Sequence, residues 1–380
     1  MKKLKYRALA LVLVTAIACF LSQSCGSGDR NATGGSTNLA AKPKSEFIAN
    51  DPDWDVSVTS ASQTAGSAVS CAPAMRCWLW NASSLWAYDQ QHQATRITVE
   101  LNENEQILNA FLLSERIGWI VSSRGLFKTR DGGSNWTQLK TPQFDGDHGR
   151  IHAVYFNNEE QGWIAGGRYQ LPFKGETLPN NALSDDRKRV LIGAVSKTTD
   201  GGITWQDTSA ERSAGRFTKI TFSGAFGMVS GDAGLQVSRN SGADWRDTLS
   251  DLPRSEAGER REVRDAFLLD DQLGWATLSG STLIRTENGA RSWQVIYPSE
   301  KVGPDAVSFN EIVFVDGRRG LALYTHTGRG QLYKTDDAGR SWSRIVTEES
   351  FSALGGVSGS KLVMAVGKGG IYSFSPKAER

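Results

Sequence analysis

Cysteine and histidine are scarce in this chain, with four of each among 380 residues, and proline is little commoner, with ten. Cys19 and Cys25 fall in an N-terminal leader, and His92, His148, His152 and His326 show no ligand spacing, so neither a metal site nor a cofactor is expected. An excess of one charge is missing too. The formal charge is +2, but Lys2, Lys3, Lys5 and Arg7 lie in the leader, and removing these four from 43 basic residues leaves 39 against 41 acidic ones. That balance excludes a general basic footprint for nucleic acid. No segment offers a long amphipathic helix. What is abundant is glycine, 40 residues, and tryptophan, 12 residues, which suggests many tight turns and large packing anchors rather than a disordered chain. The length allows two average domains or one closed all-β fold.

The apolar run from Ala8 to Leu21 follows the basic stretch MKKLKYR and precedes Ser22, Gln23, Ser24 and Cys25. It is too short to span a bilayer and reads as a signal peptide over residues 1–24. Leu21 to Cys25 resembles a bacterial lipobox, in which the cysteine takes a thioether-linked lipid after cleavage. Cys25 is the expected lipid anchor. Leucine stands four residues before it rather than the usual three, and Cys19, after Ala16, Ile17 and Ala18, is the second candidate. Residues 25–50 are rich in Gly, Ser, Asn and Lys and read as a flexible tether. A chain exported to the bacterial cell envelope, periplasmic or outer-surface, meets oxidising conditions, so Cys71 and Cys77 of CAPAMRC are expected to form a disulfide.

Five segments align on tryptophan: TRDGGSNW, TTDGGITW, SRNSGADW, TENGARSW and TDDAGRSW. They supply Asp131, Gly133 and Trp136; Asp200, Gly202 and Trp205; Asn240, Gly242 and Trp245; Asn288 and Trp293, with Ala290 in the glycine place; and Asp337, Gly339 and Trp342. The pattern resembles the Asp-box of bacterial neuraminidase-type repeats. Its chemistry is structural: a short Asp or Asn side chain bonds backbone N–H groups in a tight turn, and glycine accepts positive φ. Upstream of each box an apolar run ends in Gly118-Trp119, Gly162-Trp163, Gly227-Met228, Gly274-Trp275 or Gly320-Leu321, spaced 44, 65, 47 and 46 residues apart. That is the period of a β-propeller blade of four strands.

The template extends to a blade at SAVSCAP, RCWLWN, SLWAYD and RITVEL, and to a last one at SFSALGG, KLVMAVG and GGIYSFS that lacks its outer strand. Trp54-DVSV looks like Trp342-SRIV and fits the vacancy. The fold expected over residues 51–376 is thus an all-β, seven-bladed propeller whose ring is closed by the N-terminal strand, leaving no open sheet edge. Nine tryptophans are absorbed by architecture, so a stacking platform would have to come from Trp78, Trp80 and Trp86, which blade 1 can also bury.

Two unrepeated stretches are candidates for binding. Blade 3 carries an insertion, GRYQLPFKGETLPNNALSDDRKR, expected as an exposed loop. The link from blade 4 to blade 5 gathers Arg254, Arg260, Arg261 and Arg264 as candidate binding residues, interleaved with Glu256, Glu259, Glu262 and Asp265. Sialidases share the Asp-box but open their first blade with Arg-Ile-Pro. The nearest match here, Arg96-Ile97-Thr98, lacks the proline and falls at the end of blade 1. No catalytic set stands out.

The chain from Trp54 to Phe374 is similar to the photosystem II stability/assembly factor family, whose unit of Gly-Trp-x-x-Gly followed by Thr-Thr-Asp-Gly-Gly-x-x-Trp is matched by GWIAGG and TTDGGITW. The resemblance implies seven blades, frequent export as lipoproteins and, in photosynthetic members, binding of a newly made membrane subunit through an arginine-rich patch. The expectation is a non-enzymatic, monomeric scaffold or assembly factor, held at a membrane by its lipid and binding a membrane or envelope protein. The alternative is a carbohydrate-active propeller, either a glycan-binding module or a glycoside hydrolase using two carboxylates.

Overall fold

Alternation of apolar and polar residues, broken by Gly and Asp every few positions, favours short antiparallel strands over helices. The computed structural model describes residues 51–60, 66–72, 76–89, 93–174, 183, 188–208, 212–249, 262–297, 307–347, 349–356 and 361–378. The chain divides into Met1–Lys42 and Pro43–Arg380. The expected leader, Cys19, Cys25 and the tether to residue 50 all lie outside the described residues. Pro43–Arg380 contains seven four-stranded antiparallel sheets, together forming a seven-bladed propeller, and one short 3-10 turn at Gly146–His148.

The inner strands are Ala68–Cys71, Ile107–Leu112, Gly149–Phe156, Phe217–Ser223, Val263–Leu268, Glu311–Phe314 and Phe351–Gly356, in blades 1 to 7. Blade 7 takes its outer strand from Trp54–Ser60, which pairs antiparallel with Gly370–Pro376 from Trp54↔Pro376 to Ser60↔Gly370. The expected closure is therefore present. Around the joint, Lys334 Nζ donates to Asp51 Oδ1 at 2.9 Å and to Asp53 Oδ2 at 2.6 Å.

Three details differ from the sequence expectation. The outer strand of blade 1 is Ala94–Ile97 rather than RITVEL, because its register is set by Leu85↔Ile97. Outer strands of blades 3, 4 and 6 keep only two residues each, shorter than the four after tryptophan in Trp342-SRIV, and each box tryptophan stands just before its strand with its ring under the turn. The blade 3 insertion begins as strand: Gly162–Gln170 pairs with Val190–Thr198 throughout.

Packing between blades repeats one aromatic motif. Trp119, Trp163 and Trp275 lie flat on Phe156, Phe222 and Phe314 of the next blade, with centroids 3.7, 3.8 and 3.8 Å apart. The same three phenyl rings receive the edges of Trp205, Trp245 and Trp342 from their own blade. Each pair exceeds simple area burial by about 0.5–1.5 kcal/mol. The glycine before Trp163 has a steric cause, because a Cβ at Gly162 would overlap the Phe156 ring.

Candidate functional site

Antiparallel order puts the first-to-second turns and the boxes of each blade at one end of the ring, the turn face. The second-to-third turns and the links between blades lie at the other end, the link face.

On the turn face the five boxes repeat one hydrogen-bond pattern. The hydroxyls of Thr129, Thr198, Ser238, Thr286 and Thr335 accept the N–H of Gly133, Gly202, Gly242, Ala290 and Gly339 at 2.8–3.0 Å. The same hydroxyls donate to Asp131, Asp200, Asn240, Asn288 and Asp337. Those oxygens in turn accept the N–H four residues on, from Asn135, Thr204, Asp244, Ser292 and Ser341. Two successive residues in each turn are left-handed, including Ala290 at φ 56°. Bonds from Asn135 hold the Asp131 carboxyl down at about 2, and bonds from Thr204 do the same for Asp200. The box tryptophans Trp136, Trp205, Trp245, Trp293 and Trp342 lie beneath these turns, Trp342 donating Nε1–H to Gly339 O at 3.0 Å. The carboxylates are thereby occupied in shaping the turns.

The link face is less regular. An extra residue bulges from five inner strands, at Leu108, His152, Thr218, Arg264 and Ser352. Arg264 is exposed there. Arg254, Arg260 and Arg261 lie outside the described residues, so the cluster expected from sequence is placed only through Arg264. Sequence reasoning missed Arg150 and Arg216, which stand near His152 on blades 3 and 4. Burial first, then Arg216 and Arg150, push the His152 imidazole down to about 4, so it is neutral at ordinary pH in a locally positive field. Arg216 also pairs with Asp232 at 3.2 Å.

The inner strands of all seven blades line a central cavity of about 510 Å³. One register position along them carries Lys219, Asp265 and Glu311 in blades 4, 5 and 6. Lys219 Nζ donates to Asp265 Oδ1. Asp265 Oδ2 accepts the N–H of Ile312 at 2.8 Å, and Glu311 Oε2 accepts that of Leu354 at 2.6 Å, so each acid stitches its blade to the next. Enclosure and the neighbouring Asp265 raise the Glu311 carboxyl to about 7. A paired carboxylate therefore exists, but both members are bonded to neighbouring backbone.

Other candidates resolve simply. Cys71 and Cys77 face each other across an antiparallel pair and form a disulfide, Cα atoms 4.0 Å apart. Trp78, Trp80 and Trp86 are buried, so they offer no open stacking platform. Among the described residues no group of three or more His, Cys, Asp or Glu side chains could hold a metal ion. Nor is any described helix long and apolar enough to cross a membrane.

No family model matches the chain. It is 26% identical over 273 residues, 60% of its own length, to the chloroplastic photosystem II stability/assembly factor HCF136 of Cyanidioschyzon merolae. It is 26% identical over 121 residues, 32% of its length, to the photosystem II assembly lipoprotein Ycf48 of Synechococcus sp.. The chain spans 61% and 33% of the length of these two relatives. The likeness to this family read from the repeats is thus found by comparison as well. Among solved structures, YCF48 bound to D1 peptide aligns with a TM-score of 0.57 at 16% identity, covering 86% of this chain and 97% of that one. A GH74 xyloglucanase from Xanthomonas campestris aligns at 0.56 with 14% identity, covering 85% of this chain and 53% of that one. At such identities these structures establish the fold alone, and the neighbours include both a peptide-bound assembly protein and an enzyme.

Proposed function

We propose that this protein is a non-enzymatic propeller, tethered to a membrane of the bacterial envelope through Cys25, whose link face binds an extended segment of a membrane or envelope protein. The observation that carries the reading is the contrast in chemistry around the ring. The box side chains of the turn face are bonded into the fold, whereas the link face presents the exposed Arg150, Arg216 and Arg264, the first two near a His152 that burial, and then their charges, keep neutral. Arginine in such a place suits carboxylates and carbonyls of a bound peptide. The likeness to assembly factors, one of them solved with a peptide, supports the same reading.

A carbohydrate-active role is less well supported. The fold is shared with a xyloglucanase, but every tryptophan is buried or half-buried, and Asp265 and Glu311 are engaged by neighbouring strands. Crosslinking and affinity purification from native membranes should recover the same protein partner repeatedly. Recovery of glycan with no reproducible protein would overturn the proposal.

A further inference from the structure

Each inner strand turns one backbone edge toward the central cavity. Alternate residues give N–H and C=O to the second strand, as Leu113 N–H does to Ile117 O and Asn157 N–H to Gln161 O, and the residues between direct theirs to the axis. One level of the ring shows what these groups take. In blades 5, 6 and 7 a carboxylate meets them: Ala266 and Ile312 donate to the two oxygens of Asp265, each at 2.8 Å, and Leu354 donates to Glu311 at 2.6 Å. In blades 1 to 4 the corresponding N–H groups belong to Val69, Ala110, Val154 and Ile220. All four residues line the cavity, and no described group accepts from these N–H groups. The cause is in the sequence. Each stitch reaches from one blade to the next, and the residues placed to reach these four are Ala353, Ala68, Asn109 and Ala153. Alanine is too short, and the Asn109 amide, which also lines the cavity, bonds to no described group.

We propose that this side of the cavity binds a small organic acid, whose single carboxylate accepts from Val154 and Ile220 beside Lys219 and Asn109. Asp265 is the internal precedent, since its one carboxylate bridges the N–H groups of two adjacent blades. Enclosed N–H groups are rarely left unmet, and an anionic oxygen is their strongest acceptor. Phe111 and Tyr155, with ring centroids 5.0 Å apart, line the same side and suit an apolar body. The volume of about 510 Å³, which extends to the turn-face ends of the inner strands at Leu113, Asn157 and Ser223, is that of a small-ligand site. Charge decides between anions. Lys219, Asp265 and Glu311 are the charged residues at this level, the other blades having alanine or asparagine there. Lys219 offsets Asp265, so the site is neutral while Glu311 is protonated and carries one negative charge once it ionises. That balance suits a monocarboxylate rather than a phosphate. It also makes binding weaken as pH rises through about 7, where Glu311 loses its proton. The inference goes beyond the protein-partner reading and does not depend on it.

The test titrates the full chain calorimetrically with benzoate at pH 6, and with benzamide as a neutral molecule of the same shape. Benzoate should bind, and benzamide about tenfold more weakly or worse. Affinity for benzoate should fall by up to about tenfold between pH 6 and pH 8, and Glu311→Gln should remove that fall. Asn109→Asp sets a carboxylate where blades 5 and 6 carry theirs, within reach of Val154 N–H. It should abolish benzoate binding with the melting temperature unchanged or raised. Ile203→Asp, at a side chain 77% exposed on the turn face, should leave the affinity unaltered. No binding of benzoate at pH 6, equal binding of benzamide, full binding by Asn109→Asp, or equal loss in Ile203→Asp would overturn the proposal.

Discussion

The turn face and the link face are made by the same strands yet obey different rules. On the turn face one hydrogen-bond scheme is repeated in five blades, down to which hydroxyl meets which N–H. On the link face the described connections differ, one bearing a projecting hairpin and one a 3-10 turn, and the inner-strand bulges share a position but carry Leu, His, Thr, Arg and Ser. Repetition marks the chemistry that the fold needs. Its absence marks surface left open to other uses.

Removing Trp275 would test that division most severely. Its ring is fully buried and stacked on Phe314, and its Nε1–H donates to Ala338 O of the next blade at 3.0 Å. Trp275→Ala should cost about 3–5 kcal/mol, read as a fall in denaturant midpoint. A smaller loss is expected of Thr198→Val, which keeps shape but leaves Gly202 N–H and Asp200 without their hydroxyl, about 1–3 kcal/mol. No change in either variant would deny the turn face its structural role.

Acid should distinguish the same face. The carboxyls of Asp131 and Asp200 are held at about 2 in the folded state against an ordinary 3.8. Their contribution is present above about pH 4 and is lost as pH falls through about 2. Asp200→Asn should flatten that part of the stability profile. Glu311 behaves oppositely, because its folded value of about 7 lies above the ordinary 4.5, so stability is lost as pH rises through 7. Glu311→Gln retains an acceptor for Leu354 and should stabilise the protein relative to the parent more at pH 8 than at pH 5, by about 1–3 kcal/mol read from denaturant midpoints. The smallest stability effect belongs to the link face: Arg150→Ala, Arg216→Ala and Arg264→Ala should each stay within about 0.5 kcal/mol of the parent while weakening capture of the protein partner.

The same division explains what could be read without a structure. Blade number, box positions and the closing strand at Trp54 were legible because each repeats a pattern of apolar alternation, Gly and Trp. A further repeat was present but unread. Lys128, Lys197 and Arg285 stand immediately before the box Thr and lie over Trp119, Trp163 and Trp275 at 5.1, 5.6 and 5.4 Å. Blade 4, with Met228 in place of the tryptophan, has Val237 there instead. The Lys219, Asp265 and Glu311 positions were also within reach, each three residues before Phe222, Leu268 and Phe314. Arg150 and Arg216 were not, because unrepeated link residues have no internal template and converge only when the ring closes. The strand extension in the insertion was hidden for a similar reason, since its pairing is continued by residues 20 or more positions away.

The central claim is that partners meet the link face and not the turn face. It is tested most directly by placing a photo-crosslinking phenylalanine analogue at position 150 or 264, and in a separate variant at position 203, then irradiating native membranes. Reproducible protein adducts from 150 and 264 with none from 203 are the predicted result. Adducts from 203 with none from 150 or 264 would contradict the account.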